Sequence, residues 1–233
     1  MAEQGTIEWF RQRLGKLNGS EVGDLMGTPK TKGKQWTDTA QKLLCKVAAE
    51  RNLSFLADID DEFLEAFLKR CGAETAAIKW GHANESYAVI EFNEWFKKNV
   101  GRKHKIVEAG SVVHPELAFL AASPDRILQV EEEDCTTGKY VIEVKCPYTP
   151  ANAFLGMHTV KDWDSLKKWN SGYYWQVVAE IACNQAKGAY FVIYDPHQSV
   201  MAGVTYLERD MDAEIQLINR AIEANEYIKN IKL

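Results

Sequence analysis

Asp125, inside Ser123-Pro124-Asp125-Arg126, and Glu143, inside Glu143-Val144-Lys145, stand eighteen residues apart, each at the edge of an apolar run with strand character. Side chains alternate faces along a strand, so Glu143 and Lys145 project from one side of an extended segment while Val144 points away. If residues 118–128 and 140–145 pair as neighbouring strands joined by an acidic loop over 131–139, Asp125 comes beside Glu143. Two carboxylates then face one point. Hard divalent cations such as Mg²⁺ or Mn²⁺ take oxygen ligands and keep several waters, which suits phosphate chemistry. A cation held there polarises a phosphoryl oxygen and lowers the pKa of its bound water, so the pattern implies metal-assisted cleavage of phosphodiester bonds. Lys145 has three open roles: orienting the water, deprotonating it, or stabilising charge on the transferred phosphoryl group. If a neutral Lys145 and a metal-bound hydroxide are required, activity rises towards mildly alkaline pH. By itself E-x-K is equally an ordinary surface strand with a Glu/Lys pair, so the rest of the chain must support the reading.

The 233 residues, 46% hydrophobic, suit one domain over 1–233 with a substantial core. There is no eighteen-residue apolar run and no basic-then-apolar start, which predicts a soluble, cytoplasmic protein without membrane association. Five cysteines, at 45, 71, 135, 146 and 183, form no C-x-x-C pair, which argues against a disulfide framework, a zinc finger or an iron–sulfur cluster. A formal charge of −5 argues against a protein that coats DNA, since non-specific affinity comes from Lys and Arg neutralising phosphates. Contact with nucleic acid must be local. Candidate basic clusters are Arg11, Arg13 and Lys16; Lys30, Lys32 and Lys34; and Arg102, Lys103 and Lys105.

The elements that must position these residues follow from periodicity. Helices are expected over 7–14, over 21–26 with Ser20 as cap, over 39–51, 61–70 and 76–98, the last with an interruption allowed at Gly81. Strands are expected over 105–113, 117–128 and 140–145, the three forming a meander. A loop rich in Trp and Lys over 162–171 precedes a helix over 172–183. Strands over 189–194 and 204–208 and a helix over 210–228 complete the order.

That order, an α/β core with a central mixed sheet flanked by helices, is that of the PD-(D/E)XK nucleases, and five motifs along it resemble the phage lambda exonuclease, or YqaJ-like viral recombinase, family. Trp9, Arg13, Gly15 and Ser20-Glu21-Val22 resemble its W-x-x-x-R-x-G…S-E-V element, and Trp80-Gly81 with Glu85 its W-G-x-x-x-E helix. Ser123-Pro124-Asp125-Arg126, Glu143-Val144-Lys145-Cys146-Pro147 and Tyr173-x-x-Gln176 follow in order. The likeness runs from about residue 5 to residue 210; the acidic stretch 131–139 is longer than in the lambda protein.

The resemblance implies that Glu85, Asp125, Glu143 and the main-chain oxygen of Val144 hold two Mg²⁺ ions, with Mn²⁺ able to substitute. It implies that Lys145 contacts the attacking water and the scissile phosphate, and that Gln176 orients that water or Lys145. Arg13 and Ser20 would bind the 5′-terminal phosphate, and Ile78, seven residues before Glu85, would be a wedge separating the terminal base pair. Without the resemblance, Glu85 reads as a solvated helical residue, Gln176 as a structural amide, and Arg13 with Ser20 as a surface arginine and a helix cap. The family further implies a ring-shaped homotrimer acting on double-stranded DNA ends from 5′ to 3′. Its partner would be a single-strand annealing protein of the same phage or prophage in a bacterial host, for which the Trp163/Trp169 loop is a candidate surface. A PD-(D/E)XK endonuclease and a catalytically silent DNA-end-binding module are the alternatives.

Overall fold

The structure is a computed structural model that describes residues 4–53, 60–71 and 75–231. In chain order, α1 (Ile7–Arg13), β1 (Leu17–Asn18) and a 3-10 helix (Val22–Met26) lead into α2 (Asp38–Arg51), α3 (Asp61–Cys71) and α4 (Ala76–Asn99). The strands β2 (His104–Glu108), β3 (Val112–Val113), β4 (Leu120–Ala122), β5 (Arg126–Glu131) and β6 (Thr137–Lys145) follow. Three helices, α5 (Pro150–Thr159), α6 (Trp163–Trp169) and α7 (Ser171–Asn184), precede β7 (Gly188–Tyr194), β8 (Ala202–Glu208) and α8 (Met211–Lys229).

The main sheet has the order β2-β5-β6-β7-β8. Its first three strands are the expected antiparallel meander, and β7 adds parallel to β6 with Glu143 opposite Phe191. Parallel neighbours need a long crossover, which α5, α6 and α7 supply. β7 is buried at all seven positions, as a central strand covered on both faces must be.

The pleat sorts the side chains into two layers. Leu128, Val130, Ile142, Val144 and Val192 pack beneath Phe92 and Phe96 of α4. Ile127, Val141, Phe191 and Ile193 face the other way, into a larger cluster with Val177, Val178 and Ile181 of α7. Glu143 and Lys145 have the parity of Val141, so they lie on the α7 side.

Two expected strands are each divided between sheets. The segment 105–113 splits into β2 and β3, and 117–128 into β4 and β5, because β3, β4 and β1 form a separate small sheet. The second break falls at Ser123–Asp125, where Pro124 has no N–H for a ladder. The acidic stretch 131–139 is largely hairpin: pairing persists to Glu131 opposite Thr137, and Cys135, with φ 61°, turns the chain.

The helices also depart in part from expectation. α4 runs through Gly81 without interruption. Helix α5 has no counterpart in the expected order, although Thr149-Pro150 places proline at a first helical position. The expected loop over 162–171 is mostly α6, started by reciprocal bonds between Asp162 and Ser165. Its tryptophans are partly buried and pinned, Trp163 Nε1 to the Glu208 carbonyl at 2.8 Å and Trp169 Nε1 to Asn152 Oδ1 at 3.1 Å. The segment is therefore an ordered helix and not the expected free loop.

Phe92 is fully buried between α4 and the sheet, against Phe96 and Tyr190. Phe92→Ala is expected to cost about 3–5 kcal/mol, read as a lowered urea midpoint; a loss below about 1 kcal/mol would show that α4 is not anchored through this ring.

Candidate active site

Asp125 sits at the break between the two sheets, immediately before β5, and is buried. Its Oδ2 accepts the Val144 N–H at 2.7 Å, which ties it to β6. Glu143 is only 1% exposed. One of its oxygens, Oε1, accepts from both Lys145 Nζ and Gln176 Nε2, each at 2.6 Å, and the other, Oε2, has no hydrogen-bond partner. Lys145 Nζ also donates to Gln176 Oε1 at 3.2 Å and lies 4.5 Å from the centre of the Tyr173 ring. Tyr173 and Gln176, three apart on α7, therefore meet Lys145 from one helical face. Asn170 starts that helix by accepting from the Tyr173 N–H.

Burial, and then the Glu143 charge, push the Asp125 carboxyl well above the usual carboxylate range. Burial alone would depress Lys145, but Glu143 and Asp125 together outweigh it and hold the ammonium above its ordinary pKa. With these carboxylates free of a cation, the arrangement favours a charged Lys145. Cys146 is pushed up to about 12 by burial, Asp125 and Glu85, which keeps it a thiol.

Glu85 does not join Asp125 and Glu143. Arg126, on the α4 side of β5 like Leu128, donates to Glu85 Oε1 at 2.9 Å and pairs with Glu108 at 3.2 Å. Among the described residues no three carboxylate, imidazole or thiol groups converge on one point. The remaining donors still suit a hard cation. Glu143 Oε2 is buried and unpartnered beside a second carboxyl whose ionisation it opposes, and a divalent cation would relieve both costs.

The catalytic candidates line a cavity of about 520 Å³ whose wall also includes Arg13, Ser20, Ile78 and Glu85. Arg13 lies 4.2 Å from the centre of the Trp9 ring, with Nη1 donating to Ser123 Oγ at 3.1 Å and Nη2 to Ser20 Oγ at 3.2 Å. Ser20 does not cap a helix. The residue before the 3-10 helix is Glu21, without a side-chain cap bond, and Ser20 stays exposed beside Arg13. Ile78 is 44% exposed, two turns before Glu85 on the unbroken α4.

Residues 8–187 match the YqaJ-like viral recombinase domain. The chain belongs to that family. No curated protein sequence matches it. Among solved structures, this family member is similar to an alkaline exonuclease (LHK-Exo) from Laribacter hongkongensis, with TM-score 0.68 and 21% identity over 96% of this chain and 93% of the other. The same exonuclease in complex with dAMP gives TM-score 0.67 and 22% identity over the same shares. A phage-related exonuclease from Haemophilus somnus 129PT gives 0.56 and 15%, covering 91% of this chain and 93% of that one. The central mixed sheet flanked by helices is the PD-(D/E)XK-like fold of these neighbours.

Three residues of the site have roles that their sequence positions do not disclose: Arg126 and Ser123 stand only as neighbours of Asp125 in its motif, and Glu180 lies outside every motif. The available signal for Glu180 was a lone acid in the apolar run Val177–Cys183, one turn after Gln176.

Because folding raises the Asp125 pKa, the native state holds this proton more tightly than the unfolded chain. Its contribution to stability therefore falls as pH rises above the unfolded value of about 4. In EDTA at pH 7, Asp125→Asn is expected to melt above the wild type, with the gap closing towards pH 4; thermal unfolding followed by circular dichroism checks this. Mg²⁺ or Mn²⁺ should raise the wild-type midpoint and leave the variant's nearly unchanged.

Proposed function

We propose that the protein is a metal-dependent exonuclease, a single nuclease domain over 1–233, that digests one strand of linear double-stranded DNA from 5′ to 3′. It leaves a 3′ strand for single-strand-annealing recombination. The observation that carries this reading is the gathering of Asp125, Glu143, Lys145 and Gln176 on the wall of a cavity that also holds Arg13 and Ser20. The exonucleases of similar fold, one solved with dAMP, support it.

Asp125, Glu143 and the Val144 carbonyl would hold the first Mg²⁺, or Mn²⁺ in its place, and Glu85 would reach a second by giving up Arg126. The bound ions supply Lewis acidity and an activated water. Lys145, as an ammonium, stabilises charge on the transferred phosphoryl group, and Gln176 keeps it in place. Arg13 presents a planar fork and Ser20 a hydroxyl to the terminal 5′-phosphate. Ile78, on the same cavity wall, parts the last base pair. The substrate is a DNA end, the working form a ring-shaped homotrimer, and the partner an annealing protein of the same phage or prophage in a bacterial cytoplasm. Among the described residues no helix is long and apolar enough to cross a membrane.

The test is digestion of linear duplex DNA with and without a 5′-phosphate, beside closed circles, in Mg²⁺ and in EDTA. Metal-dependent release from linear ends, faster with the phosphate and leaving a 3′ strand, is expected. Cut circles would indicate an endonuclease, and binding without release a silent module. Glu143→Ala and Lys145→Ala should each lower turnover by at least about 100-fold while DNA still binds in a gel-shift assay.

Two further variants separate the end-binding roles. Arg13→Ala is expected to erase the rate advantage of a 5′-phosphate, and Ile78→Ala to slow duplex digestion more than single-strand digestion. Equal effects of Ile78→Ala on both substrates would remove the wedge.

A further inference from the structure

Glu180 lies in α7 one turn beyond Gln176 and is 1% exposed. Its Oε1 accepts from Gln176 Nε2 at 2.9 Å, while its Oε2 is buried without a hydrogen-bond partner. Such a group is a burden on folding. Burial, and then Glu143, push its pKa well up. An apolar side chain would pack there at less cost, so packing does not account for an acid at this position.

The geometry around Gln176 does. A side-chain amide has two N–H donors and one acceptor oxygen. Nε2 donates to Glu143 Oε1 at 2.6 Å and to Glu180 Oε1 at 2.9 Å, and Oε1 accepts from Lys145 Nζ at 3.2 Å. A flipped amide would set its oxygen against the Glu143 carboxylate and its N–H groups against the Lys145 ammonium, so these two neighbours admit one orientation. Glu143 has competing demands, because the same oxygen holds Lys145 and the same carboxylate is the proposed cation ligand. The Glu180 side chain bonds Gln176 and has no second hydrogen-bond partner among the described residues.

We infer that Glu180 is a positioning residue that holds the Gln176 amide with its oxygen turned to Lys145, and through it sets the Lys145 ammonium for phosphoryl transfer. Its effect on catalysis rests on the nuclease reading above; its effect on the amide does not.

The test uses the full chain as wild type, Glu180→Leu and Glu180→Gln, with Glu180→Met in place of leucine if that variant does not fold. In ¹⁵N-glutamine-labelled protein, Gln176→Ala identifies the side-chain amide resonances of Gln176. Glu180→Leu should move one of the two amide protons upfield and speed its exchange, whereas Glu180→Gln, whose carbonyl can still accept, should restore it. With Mg²⁺ and 5′-phosphorylated linear duplex, Glu180→Leu should lower kcat about 10- to 100-fold at unchanged KM, and Glu180→Gln should recover most of the rate. Unmoved amide resonances, with wild-type kcat per folded molecule, would overturn the inference. If the wild type releases no nucleotide but the amide resonances shift as expected, the nuclease reading fails and the positioning role stands.

Discussion

Glu143 Oε1 receives hydrogen bonds from Lys145 Nζ and Gln176 Nε2, both at 2.6 Å, within a layer almost closed to water. A carboxylate in that setting is tolerated only if its donors are held rigidly, since each lost bond leaves a buried charge uncompensated. The rigidity comes from β6, which over Glu143–Lys145 is paired in parallel with β7 and is tied on its other side to Asp125 through the Val144 N–H. The parallel pairing in turn requires the crossover that ends in α7, and α7 supplies Gln176. The central strand, the crossover and the amide thus depend on one another.

Carboxyl groups outnumber cations around this point. Asp125, Glu143 and Glu180 are buried near one ammonium, and burial together with mutual repulsion pushes the carboxyls of Asp125 and Glu180 upward. The site therefore stores a cost that a divalent cation would offset, which is the usual relation between stability and function at such places. Arg126 pairs with Glu85 on the α4 side of the same cavity.

The basic clusters have different fates. Arg102 and Lys103 pair with Glu131, Glu132 and Glu133 at the β5–β6 turn, Arg11 pairs with Glu8 and Asp61, and Lys34 pairs with Asp38. Exposed pairs of this kind contribute little to stability but do remove free charge from the surface. Arg13 alone among the cluster residues lines the site cavity, where it donates to the hydroxyls of Ser20 and Ser123. A net charge of −5 leaves little room for a broad cationic footprint.

Local rules were enough for much of this. Strand alternation placed Glu143 and Lys145 on one face, helical spacing located α2, α4, α7 and α8, and the apolar run at 189–194 announced a buried strand. These signals depend on neighbours a few residues away, so the sequence determines them by itself. The handover between sheets at Pro124, the pairing of Arg126 with Glu85 and the bond from Gln176 to Glu180 are of another kind. Each depends on which layer a side chain enters, and that is decided only when the strands choose partners and the helices cover opposite faces. Ser20 shows the same division: its type suits a helix cap, but the packing of α1 brings Arg13 to it, and a charged donor takes the hydroxyl that a helix would have used.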